Sequence, residues 1–126
     1  MVIHDTFADF VLFLYIHMAH ADGVYHPAEK DVIAERIPRL FPTEPDVAAK
    51  LAKAETQYLA TDKTKIESII KDTFKHYSNV KFAQKYKVYT DMYDIIHADG
   101  KVDEAESRAL NELKDIIEMG VVMKRG

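Results

Sequence analysis

His20-Ala21-Asp22-Gly23 returns as His97-Ala98-Asp99-Gly100, 77 positions along the chain (99 minus 22). The register persists beyond the tetrapeptide. At the same offset Ala28-Glu29 falls on Ala105-Glu106, Ile33 on Leu110 and Leu40 on Ile117. A fixed offset of this kind marks a repeated supersecondary unit. The unit reads as a helix, a turn at Asp-Gly and a second helix, because glycine tolerates the left-handed backbone with which helices end. The pattern predicts two αα-hairpins related by a pseudo-two-fold axis, helices 1–2 over residues 5–41 and helices 5–6 over residues 80–119. A helical insert over residues 43–78 lies between them.

Apolar spacing outward from the repeat is helical throughout. Phe7, Phe10, Val11, Leu14, Tyr15 and Met18 follow the three-and-four rule behind Asp5 as N-cap. Pro27 opens the second helix at the position where its missing N–H costs nothing. Val32, Ile33, Ile37, Leu40 and Phe41 supply its stripe, and Pro38 disturbs its last turn. Thr43-Glu44-Pro45 opens a third helix with Val47, Leu51, Ala54 and Tyr58 on one face. Thr61-Asp62 caps a fourth that carries Ile66, Ile69, Ile70, Phe74 and Tyr77. In the fifth, Phe82, Tyr86, Tyr89, Tyr93 and Ile96 keep the helical rhythm and predict a tyrosine stripe in the core with its hydroxyls at the rim. The sixth runs from Asp103 to Met119, with Leu110, Leu113, Ile116 and Ile117 inward. With four glycines and four prolines, the chain lacks the punctuation of an all-β protein. The expectation is an all-α bundle of about six to seven helices in a single domain, residues 1–126.

Composition narrows the function. The chain has 126 residues, 48% hydrophobic and 30% charged, enough for one core. A net charge of −4 argues against a nucleic-acid binder, whose affinity comes from neutralising phosphates. The longest apolar run, Phe10 to Ile16, is far short of the about 18 residues that span a bilayer, so no membrane insertion is expected. No cysteine is present, which excludes disulfides, thiolate metal sites and a cysteine nucleophile and fits a cytoplasmic location. Residues 1–43 hold three basic and six acidic side chains and residues 91–126 hold five and nine, whereas residues 44–90 hold nine and six. The two hairpins are therefore acidic, at −3 and −4, and the insert is basic, at +3.

Acidic loops suggest a cation. In an EF-hand the ligand before the loop glycine is acidic or amide, and a bidentate Glu closes the loop six residues after it. Asp22, Gly23 and Glu29 fit those places, as do Asp99, Gly100 and Glu106. The first half of the loop fails, because its ligand positions fall on Met18 and His20, or on Ile95 and His97. One half-loop offers too few oxygens for calcium. Two brought together by the pseudo-two-fold offer four carboxylates, Asp22, Glu29, Asp99 and Glu106, to a divalent cation, with calcium or magnesium favoured over zinc. The same residues also read as caps. Asp103 with Glu106 and His26 with Glu29 have the spacing of a capping box, and the Asp-Gly pairs are ordinary turns. His20, His97, His26 and Asp103 are second-tier candidates for the same cation, and His20 and His97 can also cap helix ends. His17, His20 and His26 lie close enough in sequence for a three-imidazole zinc site, but their spacing matches no zinc motif. His4-Asp5 resembles part of a metal-phosphohydrolase site without its other ligands. No Ser-His-Asp set or phosphate loop can be assembled, so no enzymatic activity is expected.

The paired Ala-Asp-Gly loops, each followed by a Glu between helices, resemble the TerB-like family of tellurite-resistance proteins. The first motif spans Ile16 to Leu40 and the second Tyr93 to Ile117. The resemblance implies an all-helical fold of two repeated hairpins and an acidic cluster that binds a metal, carried here by Asp22, Glu29, Asp99 and Glu106. It also implies a sensor or adaptor role in tellurite and chemical-stress responses, with a protein partner in a membrane-associated complex. Related domains occur fused to membrane-anchored DnaJ-type co-chaperones. Residues His26 and Asp103 differ between the repeats, so the two loops are not equivalent. Tellurite is an anion, which an acidic cluster repels.

Overall fold

Thr6 opens the first helix, α1 (Phe7–Ala19), by a reciprocal cap. Its hydroxyl accepts from the Asp9 N–H at 3.1 Å and donates to the Asp9 carboxylate at 2.7 Å. Asp5, the expected cap, lies one residue too early to reach the third helical amide. The structure is a computed structural model that describes residues 2–20, 25–77 and 82–97, together with residues 104, 107, 108, 110, 111, 114 and 115.

The interior of α1 is apolar all round, and it is buried all round: Phe10 through Ile16, Met18 and Ala19 are all inaccessible. A helix without a polar face needs neighbours on every side. α2 (Pro27–Leu40), α3 (Val47–Ala60) and α5 (Phe82–Ile96) all pack on α1, and α2 also meets α3 and α5. Pro27 stands at the first position of α2 as expected, and the helix runs through Pro38 to end at Leu40. The N–H of Phe41 closes its last turn on the Ile37 carbonyl at 2.8 Å. The cap of α3 is Asp46, whose carboxylate accepts from the Ala49 N–H at 3.0 Å, rather than the Thr43-Glu44-Pro45 segment. Asp62 caps a short 3-10 turn, Lys63–Lys65, that leads into α4 (Ile66–His76). Ile66, Ile69, Ile70 and Phe74 of α4 are buried, and Phe74 meets the ring of Phe10 edge-on at 5.2 Å.

α5 faces inward differently from the expectation. Val88, Met92 and Ile95 are buried, whereas Tyr86 and Tyr93 are about half exposed. The tyrosine stripe is therefore largely a surface feature. Its spacing is as helical as that of the buried set, but an aromatic ring with a hydroxyl is stable with one side wet, so spacing alone did not choose between the faces. At the repeat offset, the buried face of α5 matches that of α1: Val11 with Val88, Tyr15 with Met92, and Met18 with Ile95, all inaccessible.

No strand occurs among the described residues, and the fold is all-α as expected. Described residues between 104 and 115 are helical, and Leu110 joins the core. Most of the expected sixth helix, the tail 121–126 and both Asp-Gly turns lie outside the described residues. No helix among the described residues is long and apolar enough to cross a membrane.

Candidate functional site

Of the four expected cation ligands the structure describes Glu29. Asp22, Asp99 and Glu106 lie outside the described residues, as do Gly23, Gly100 and Asp103. Glu29 sits in the first turn of α2 and is completely buried. Its Oε1 accepts from the His26 N–H at 3.1 Å, half of the reciprocal capping box that starts the helix. Beside it, the Tyr25 hydroxyl lies against Glu55 of α3. Burial, then the Glu55 carboxylate, then that of Glu29 raise the Tyr25 phenol above its ordinary value and keep it protonated. Lys30 approaches Glu55 at 3.7 Å. The start of α2 thus holds two carboxylates close together, one of them fully desolvated.

Equivalent histidines of the two repeats share one arrangement. His20 Nδ1 lies 2.8 Å from the Ile16 carbonyl, and His97 Nδ1 lies 2.8 Å from the Tyr93 carbonyl. A carbonyl only accepts, so the hydrogen bond assigns a proton to Nδ1 in both rings. Each ring lies on a tyrosine: His20 on Tyr25 at 4.6 Å and on Tyr58 at 4.9 Å, His97 on Tyr93 at 4.0 Å. Both histidines also close their helices through backbone bonds to the same carbonyls.

The three-imidazole zinc site is not assembled. His17, His20 and His26 are all described, yet no group of three His, Asp or Glu side chains among the described residues is placed to hold a metal. His17 instead turns Nδ1 to the Tyr58 hydroxyl at 3.0 Å. Burial, assisted by neighbouring His20, lowers its pKa to about 4, so it is neutral near pH 7.

Sequence reasoning missed a buried ionic network between α1, α2 and α5. Asp91 is 5% exposed. It accepts from the Tyr15 hydroxyl at 2.8 Å and from Lys87 Nζ at 2.9 Å, and it pairs with Arg36 Nε at 3.3 Å. Arg36 also reaches Asp94 at 3.2 Å. The signal was the repeat offset itself, which places Asp91 on the buried Leu14. The network floors a groove of about 430 Å³ whose rim carries Arg36, Arg39 and Lys87.

A second cavity, about 210 Å³, lies between the N-terminal segment, α1 and α3. His4 forms part of its wall, 6% exposed, with its ring 4.8 Å from that of Phe13 and 5.8 Å from that of Phe10. Burial lowers the His4 pKa against the pull of Asp9 and Asp5. His4 and Asp5 both line this pocket, with the His4 ring among aromatic side chains.

An all-helical fold with a fully buried carboxylate, Glu29, in the first turn of its second helix defines a small all-α domain. The sequence matches the family described as "Tellurite resistance protein TerB" over residues 8–122, and the chain belongs to that family. Comparison with curated proteins and with solved structures finds no significant match. The family ties the chain to tellurite resistance.

Proposed function

We propose that this chain is a non-enzymatic, divalent-cation-binding TerB domain that acts as a sensor or adaptor in the response to tellurite or general chemical stress. The observation that carries the reading is the complete burial of Glu29 in the first turn of α2, with Glu55 close by across the Tyr25 hydroxyl. A desolvated carboxylate in acidic company is costly unless hydrogen bonds or a cation compensate it. Asp22, Glu29, Asp99 and Glu106 would supply hard oxygen ligands, which favour calcium or magnesium over zinc. His20 and His97 support the reading as second-tier ligands. An imidazole that donates Nδ1–H to a backbone carbonyl has the tautomer and orientation of a metal-bound histidine.

A second reading has its own observation. Glu29 and His26 form a helix cap, so the acidic loops can instead be caps and a docking face for a basic protein partner, with no metal. Thermal unfolding of EDTA-stripped protein separates the two, with calcium, magnesium, manganese or zinc titrated back. A cation site predicts a saturable rise in midpoint with one ion, amounting to about 2.7 kcal/mol at a hundredfold excess over Kd. The Asp22→Asn/Asp99→Asn variant should lose that rise while keeping its helical signal. A midpoint indifferent to all four ions, in wild type as in the variant, selects the docking face.

A further inference from the structure

The groove between α1, α2 and α5 begins at the N-terminal end of α1, away from the Asp-Gly loop that follows that helix. At its inner end the Tyr15 hydroxyl of α1 bonds to Asp91 of α5, and Arg36 of α2 approaches the same carboxylate. The three helices are tied together there. Every other lining residue precedes Tyr15 on α1, follows Arg36 on α2 or precedes Asp91 on α5, so the groove extends from the tie in one direction. From Tyr15 back to Phe7 it follows α1 for about 12 Å, at about 1.5 Å per residue. Val11 and Val88 along this path are buried, and Phe7, Ala8 and Leu40 are half-buried. The path is apolar.

Charge sets the sign of an occupant. The single carboxylate of the groove is already engaged: Asp91 Oδ2 accepts from Tyr15 at 2.8 Å and Oδ1 from Lys87 Nζ at 2.9 Å, with Arg36 Nε 3.3 Å from the same oxygen. Arg36 is in turn shared with Asp94 at 3.2 Å. The other two cations stand on opposite walls. Lys87 on α5 is 59% exposed and gives one of its three N–H groups to Asp91. Arg39 on α2 makes no ion pair among the described residues. An apolar path with cations on both walls complements one anionic head on an aliphatic tail. Size then separates a chain from a helix. A partner helix about 12 Å long and about 10 Å wide needs roughly 900 Å³, twice the space of about 430 Å³. Decanoate, at roughly 30 Å³ for each water-sized group, needs roughly 360 Å³.

We propose that this groove binds a free aliphatic monocarboxylate of the medium-chain fatty-acid class, with its tail along Phe7, Val11, Leu40 and Val88 and its carboxylate between Arg39 and Lys87. The site is independent of any cation at the repeated loops.

The test is NMR titration of the full chain with decanoate, following the methyl signals of Val11, Leu40 and Val88. The expected result is a saturable shift of all three. Octanoate should bind about tenfold more weakly, because each buried methylene contributes about fourfold. Decanol, which keeps the tail and loses the charge, should also be about tenfold weaker. The Arg39→Gln/Lys87→Gln variant, at two exposed positions, should weaken decanoate by about tenfold and leave the rest of the spectrum in place. Ala8→Phe fills the path and should abolish the methyl shifts while the helical signal remains. Asp22→Asn/Asp99→Asn should leave the titration unchanged. The absence of a saturable shift with decanoate overturns the proposal. Decanol or decylamine binding as tightly as decanoate overturns it too, since the cations would then select nothing. Acetate binding as tightly would show a surface anion site without a tail path. Cosedimentation with phosphatidylglycerol vesicles in place of any decanoate shift would assign the cations to a membrane surface, again overturning it.

Discussion

Asp91 occupies the place that the repeat gives to Leu14 in the first hairpin, so an apolar core position has become an anion that its neighbours must satisfy. The Tyr15 hydroxyl and Lys87 Nζ do so by hydrogen bonds, and the Arg36 guanidinium adds its charge with Nε 3.3 Å away. They do not contribute equally. Tyr15 is buried, and burial together with Asp91 raises its phenol, so it remains a donor at any ordinary pH. The Arg36 side chain is 16% exposed, and that of Lys87 is 59% exposed. Removing one partner of a desolvated pair leaves an uncompensated charge and costs about 3–5 kcal/mol, whereas an exposed pair contributes about 0–1 kcal/mol. Asp91→Ala is therefore expected to lower stability by about 3 kcal/mol in urea titration, and Lys87→Ala by less than about 1 kcal/mol. Replacing the pair together, Arg36→Met with Asp91→Leu, restores the apolar residue of the first repeat and should recover most of that loss. Equal, small effects of Asp91→Ala and Lys87→Ala would mean that the network is solvated and contributes little.

At the scale of the helix, α5 shows how two faces of one sequence compete for the core. Phe82, Tyr86, Tyr89, Tyr93 and Ile96 recur at helical spacing, and so do Val88, Met92 and Ile95. Val88, Met92 and Ile95 are buried, whereas Tyr86 and Tyr93 are about half exposed. Met92→Ala removes a fully inaccessible side chain from a packed core and is expected to cost about 2–5 kcal/mol. Tyr86→Ala, at a half-exposed position, should cost clearly less, and chemical denaturation of the two variants checks the order. The reverse order would return the tyrosines to the core. The helices themselves were legible because proline, glycine and apolar spacing act locally: Pro27 at the start of α2 and the Leu51–Tyr58 face of α3 needed no tertiary information. The caps of α1 and α3 moved by one to three residues, to Thr6 and Asp46, because several side chains compete for the same amides. Glu29 was legible as a special residue, since the repeat singled it out. Its complete burial was not, because that depends on Tyr25 and Glu55 arriving from outside the helix. The His4 cavity was invisible for the same reason: Lys50 and Lys53 meet Asp5 and Asp9 only once α3 lies on α1.

Across the whole molecule, α1 couples the core to pH. It packs on α2, α3 and α5 and carries His17, whose neutral ring bonds to Tyr58 of α3. The unfolded ring has its ordinary pKa of 6.5, and burial lowers the folded one to about 4. A group that binds its proton more tightly when unfolded makes the fold lose stability as pH falls, beginning near 6.5 and ending near 4. A shift of this size corresponds to at most about 3.5 kcal/mol at about 1.4 kcal/mol per unit. His4 acts in the same direction, since burial lowers its pKa as well. Asp9 belongs to a lower window. Burial opposes its ionisation, but the Thr6 hydroxyl and Lys50 outweigh it and hold the carboxyl below 3.8, so its contribution is lost only in more acid solution. Urea midpoints measured from about pH 7 down to about pH 4 should therefore decline in the wild-type chain. His17→Gln keeps a polar group beside Tyr58 but cannot take up a proton, so its midpoint starts lower and should decline less steeply over the same interval. Parallel slopes for the two proteins would show that His17 is accessible to protons in the folded state. The decline would then belong to His4, and His4→Gln would flatten it instead.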